Sequence, residues 1–261
     1  MDGKTGLYVT FLLAASIAST GMAGAYEGYI SYINDYQDPD SDLPECEDNA
    51  NNIRDELNAE GTYTVDKYGE MNAKESHWKS GGDSSYADWG DLSYFCGHGG
   101  TYDAGDQIRS FQAFTPQGGE SEYLYGNELN LGDTDAEWAT FDSSHSLYID
   151  DENNLANLAE WHSGFDYLNL LIGWHTSPAD TDTGGEFYDS MFDTGSLDGG
   201  GEKIKASRFA SDGGCSGNSG EYQTIIGEKA TFSNDYAWSE GGPAAGSQAN
   251  DGSYVYWGNS C

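Results

Sequence analysis

The chain has 261 residues, 37% of them hydrophobic and 14% aromatic, and 45 Asp and Glu stand against 10 Lys and Arg for a net charge of −35. This length suits one large domain or two small ones, and the aromatic content argues against disorder. The acids run through the whole chain, which argues against nucleic acid and anionic membrane surfaces as partners, since both are held through Lys and Arg. It fits a protein adapted to high salt, where a Debye length of about 3 Å at 1 M relieves self-repulsion.

Residues 1–25 carry Lys4, an apolar run from Leu7 to Ala18 that is short for a bilayer span, and an A-x-A pattern at Ala23-Gly24-Ala25. They read as a cleaved export signal, which places residues 26–261 outside the cell or at its surface. Retention of that segment would instead suit an acidic surface or filament subunit. Export permits disulfides. Cys46, Cys96, Cys215 and Cys261 allow three pairings, between which spacing does not choose. Cys46–Cys96 would tie the first helix to the strand before His98, and Cys215–Cys261 would staple the Gly-rich end.

Strands are expected at 28–36 and 61–68, around a helix at 46–59 that spaces Ala50, Ile53 and Leu57 on one face. Residues 76–89 show no clear element. "DLSYFCG" (91–97) is a third strand, 102–130 a long loop, and "AEWATFD" (136–142) a fourth strand. A helix at 150–162 carries Leu155, Leu158 and Trp161 on one face, and "DYLNLLIGWHT" (166–176) reads as a buried strand. A further helix is expected at 185–193, followed by a Gly/Ser-rich extension over 197–261. Strands alternating with helices predict an α/β fold with a mostly parallel central sheet in a domain over 26–196.

In such a sheet, functional residues sit beyond the carboxyl ends of the strands. The third strand ends in Gly97-His98-Gly99-Gly100, the fourth in Asp142-Ser143-Ser144-His145, the fifth in Gly173-Trp174-His175-Thr176. If these strands are neighbours, His98, Ser144, His145 and His175 converge on one rim.

"LSYFCGHG" resembles the first block of the caspase-like cysteine peptidases, a hydrophobic run followed by His-Gly; caspases, legumains, gingipains and clostripain share it. The layout, with "NLLIGWHT" on a later strand, is similar to a branch of that superfamily found as domains of exported bacterial and archaeal proteins. The resemblance covers roughly residues 28–195 and implies a three-layer caspase-like fold. It implies that His98 would protonate a leaving amine and that Gly99 and residue 144 would offer backbone amides to an oxyanion. Asp142, His145 and His175 are accessory. Where that family has Asp-Ala-Cys, this chain has Asp142-Ser143-Ser144, so Ser144 stands at the nucleophile position. A thiol is partly ionised near neutrality, whereas a hydroxyl needs a base within hydrogen-bond reach and a third group to orient it. The resulting expectation is a degenerate domain acting as a binding or structural module at the cell surface or outside the cell, its partner, if any, a peptide or protein. The alternative is a hydrolase using His98 with Ser144.

Other chemistries are weaker. "HGGT" matches a lipase oxyanion loop, but no G-x-S-x-G elbow follows. Cys96, two residues before His98, suits a disulfide or burial better than a nucleophile's role. No cofactor is required. Asp38, Asp40, Asp42 and Glu45 alternate as in calcium loops, without the EF-hand spacing or its Gly. Zinc through His98, His145, His162 and His175 lacks a helical H-x-x-x-H pair. His77 and His162, each beside a Trp, read as packing residues.

Overall fold

The computed structural model describes residues 26–36, 38, 41–59, 61, 63–105, 107–116, 122–149, 155–178, 222–228 and 254–260. The expectations for residues 1–25, Asp40, the helix at 185–193, Cys215 and Cys261 lie outside them.

Seven strands make the central sheet: β1 (Tyr26–Tyr32), β2 (Tyr63–Gly69), β3 (Leu92–Cys96), β7 (Trp138–Asp142), β8 (Leu170–Trp174), β9 (Tyr222–Glu228) and β10 (Tyr254–Ser260). Their order is β10-β9-β8-β7-β3-β1-β2. The five from β2 to β8 run parallel, while β9 is antiparallel to both β8 and β10. The fold is thus α/β with a mostly parallel sheet.

Every residue of β3, β7 and β8 is buried, as parallel strands covered on both faces require. Helix α1 (Glu45–Ala59) opens on Glu45, Glu47 and Asp48, which complement the positive end of its dipole. It lays Cys46, Ala50, Ile53 and Leu57 against Ile30, Leu92, Tyr94, Trp138 and Ile172. The opposite face packs Tyr29, Phe95, Phe141 and Leu171 against Leu158 and Trp161 of α2 (Ala156–His162), with Trp78. Each such large side chain, fully buried, contributes about 1.5–3 kcal/mol. Strand alternation sends Ile30 and Tyr94 to one face, Tyr29 and Phe95 to the other, and makes three layers.

Three expectations need correction. The long loop at 102–130 is largely a second sheet, ordered β4 (Gly99–Asp103), β5 (Ile108–Phe114), β6 (Glu122–Tyr125) and antiparallel throughout. Its inner face buries Ser110, Gln112, Phe114 and Leu124 completely or nearly so. Residues 76–89 are not featureless. Short 3₁₀ turns at Glu75–Trp78 and Asp83–Ser85 bury His77, Trp78 and Asp83, and Asp88 just beyond them is buried too. The Asp88 carboxylate gathers the N–H groups of Gly132, Thr134 and Ala136, and burial, with a hydrogen bond to Asp133, pushes its pKa up to about 7. His77 accepts or donates at Nδ1 with the Tyr29 hydroxyl (2.8 Å), stacks on Tyr86, and is lowered to about 4 by burial. Finally, the first strand ends at Tyr32 rather than at residue 36; of the helix expected over 150–162, α2 covers Ala156–His162, and residues 150–154 lie outside the described ones.

Candidate functional site

β3 and β7 pair in parallel, with Cys96 opposite Asp142, so the residues that follow both strands leave the sheet side by side. β8 flanks β7 in the same direction. The three strand ends singled out from the sequence therefore share one carboxyl rim.

A cavity of about 240 Å³ opens at that rim on the α1 side. Leu43, Cys46 and Asn49 form one wall, Cys96, Gly97 and His98 another, Asp142, Ser143 and Ser144 the third, and Pro178 closes it. Cys46 and Cys96 are joined by a disulfide, with Cα atoms 5.3 Å apart, which pins the start of α1 to the end of β3. Among the described residues there is no free cysteine, and both cysteines at the cavity are spent in this bond.

His98 is held from three sides. Its backbone N–H donates to the Tyr36 hydroxyl (2.6 Å), its ring lies 4.4 Å from the Tyr36 ring, and its Nε2 meets the Ser41 carbonyl at 2.6 Å. A carbonyl only accepts, so Nε2 carries the proton and Nδ1 keeps its lone pair in the neutral ring. The ring bonds this carbonyl rather than the Ser144 hydroxyl. Gly99 explains the close approach of the two loops: a Cβ there would stand 2.3 Å from the Ser144 carbonyl. Any side chain at 99 would part them.

The turn after β7 is locked from below. The Ser143 hydroxyl donates to Gln112 Oε1. The Ser146 hydroxyl donates to the Phe141 carbonyl (3.2 Å) and accepts from the Trp174 N–H (2.8 Å), and the His145 N–H reaches the Thr176 carbonyl (3.0 Å). His145 takes φ = 54°, a left-handed conformation that costs a non-glycine residue of order 1 kcal/mol and turns the chain sharply behind Ser144. Asp142 is buried at the cavity wall, with its two oxygens accepting from the Tyr94 hydroxyl and the Trp174 indole N–H, both at 2.9 Å.

His145 and His175 share the rim but not the cavity. His145 Nδ1 bonds the His175 carbonyl (2.8 Å), while His175 accepts the Ile149 N–H and stacks on Tyr148. Burial, then the neighbouring His145, lowers the His175 pKa. Of the calcium run, Asp42 takes the Tyr36 N–H (2.9 Å). Among the described residues, the acid groups close enough to hold a cation are Glu27 with Asp91 and Asp135, and Asp83 with Asp88 and Asp133. Tyr36, Ser41 and Gln112, which position His98 and Ser143, carried no sequence signal; two of them act through a carbonyl or an amide on a segment read as a turn or a loop.

The family model described as "Domain of unknown function (DUF6345)" matches residues 30–259. The structure of the Drosophila initiator caspase Dronc is similar at 11% identity and a TM-score of 0.35, over 64% of this chain and 63% of that one. No curated protein matches the chain.

Proposed function

We propose a binding role for this chain, which belongs to the DUF6345 family: its rim cavity holds a peptide or protein segment without hydrolysing it. The observation that carries this reading is the engagement of His98 Nε2 by the Ser41 carbonyl, with no hydrogen bond from the ring to the Ser144 hydroxyl. A serine becomes nucleophilic when a base within hydrogen-bond reach, or one water away, takes its proton, and here the bonded ring nitrogen faces a carbonyl instead. The motif blocks that resemble caspase-like peptidases support common ancestry with them, since they fall on β3, β7 and β8, three adjacent parallel strands. Serine in place of the thiol then leaves a shaped, polar cleft without its nucleophile.

A second reading, a serine hydrolase, is favoured by one feature. With Nε2–H tied to a carbonyl, Nδ1 is in the tautomer that accepts a proton. We further propose that the protein is exported and works in strong salt, on the basis of residues 1–25 and the −35 charge, and that its partners are neither nucleic acid nor anionic membranes.

Peptides selected by display on the full chain in 1 M salt test the cleft. Leu43→Trp, which fills the cavity wall, is expected to abolish capture, and the peptide released from the wild type is expected to be intact by mass spectrometry. Unchanged capture by Leu43→Trp would refute the cleft as the binding site. Cleaved peptide would favour the hydrolase.

A further inference from the structure

The outer face of the small sheet is aromatic where a solvent-facing antiparallel face is ordinarily polar. Tyr102, Phe111, Tyr123 and Tyr125 lie there, with neighbouring ring centroids 5.1–6.4 Å apart. Tyr123 is 40% exposed. The alternation is partly inverted, because the polar Ser110 and Gln112 point inward and are buried beside Phe114 and Leu124. The Phe111 ring rests over Gly100, where a Cβ would come within 2.9 Å of it, so the backbone itself seats the ring. Nearby cations of the chain are already engaged: Lys79 by Glu75 (3.7 Å) and Glu128 (3.1 Å), and Arg109, opposite Tyr102 on this same face, by Glu160 (2.8 Å).

Ring faces are electron-rich and attract cations, Arg above all. Here they sit on a chain of net charge −35. At low salt a second copy of this chain, or any anionic partner, would be repelled by that charge; in molar salt, where the repulsion is screened, the attraction of a ring face for a cation in direct contact is what selects the occupant. We propose that this face docks a Lys- or Arg-bearing segment of a partner protein, with its cationic heads over the four rings. This surface is separate from the rim cavity and does not depend on what the cavity does.

The test uses the full chain and a labelled peptide of five Arg-Ser repeats, followed by fluorescence anisotropy in 0.15 M and 1 M salt. Citrulline-Ser repeats, neutral and nearly isosteric, are the control. Long-range attraction to the acidic surface fades at 1 M, while a cation in contact with a ring is screened far less. The Arg peptide is expected to bind at both salt concentrations and about tenfold more tightly than the citrulline peptide. Tyr123→Ser alone, at an exposed position that folding tolerates, is expected to weaken binding at 1 M several-fold, and Phe111→Leu with Tyr123→Ser about tenfold. Asp55→Asn on α1 is expected to leave it unchanged. Equal affinity for both peptides, loss of all Arg-peptide binding at 1 M, or wild-type binding by Tyr123→Ser would overturn the proposal.

Discussion

Replacing Asp91 by Asn is expected to change how stability responds to pH. Asp91 is 4% exposed, beside Glu27 and Asp135, and accepts the Glu27 N–H at 2.6 Å. Burial first, opposed by that hydrogen bond and reinforced by the two neighbouring carboxylates, pushes its pKa up to about 7. An unfolded Asp titrates near 3.9. The folded state therefore holds the proton more tightly, so the stabilisation is present below about pH 4 and is lost as pH rises through 7. Between those limits folding stability falls by about 1.4 kcal/mol per pH unit for this group, about 4 kcal/mol at most across the window. Asn keeps an oxygen for the Glu27 N–H and has no proton to lose. Urea melts from pH 4.5 to 8 in 1 M salt should show Asp91→Asn gaining on the wild type as pH rises, with the difference levelling above pH 7. A difference that is flat with pH would refute the reasoning.

Other outcomes follow from the same contacts. Reduction of Cys46–Cys96, or Cys46→Ala with Cys96→Ala, opens a crosslink spanning 50 residues and is expected to cost about 4 kcal/mol in urea unfolding. Ser110→Ala is expected to cost about 2–3 kcal/mol, because its hydroxyl accepts from the Trp161 indole (2.8 Å) and the Asn157 amide (2.9 Å) and donates to the Ser146 carbonyl (3.0 Å); a loss below about 0.5 kcal/mol would contradict this. Gly99→Ala forces a Cβ against the Ser144 carbonyl and is expected to abolish peptide capture by the cleft while a circular dichroism spectrum stays native; full capture would show that the two loops need not touch.

The sequence was most legible where burial follows hydropathy. The apolar runs of β3, β7 and β8 and the Ala50–Ile53–Leu57 spacing of α1 are visible because those side chains fill the two cores. The small sheet escaped notice because two of its buried residues are the polar Ser110 and Gln112 while the aromatic Tyr123 is exposed, against the usual pattern. Residues 76–89 hid for a related reason: His77, Asp83 and Asp88 are buried through hydrogen bonds, which hydropathy does not register. His98 and Ser144 come to one rim because β3 and β7 are neighbours, a pairing that residue order does not dictate, and the Ser41 carbonyl that orients the ring belongs to the backbone and leaves no trace in residue type.

Fluorophosphonate labelling of the wild-type chain in 1 M salt, read by intact mass and peptide mapping, tests the central claim most directly. An imidazole tied to Ser41 leaves the Ser144 hydroxyl unactivated, so no adduct at Ser144 is expected. Stoichiometric labelling of Ser144 that disappears in His98→Ala would contradict the account and establish a working serine nucleophile.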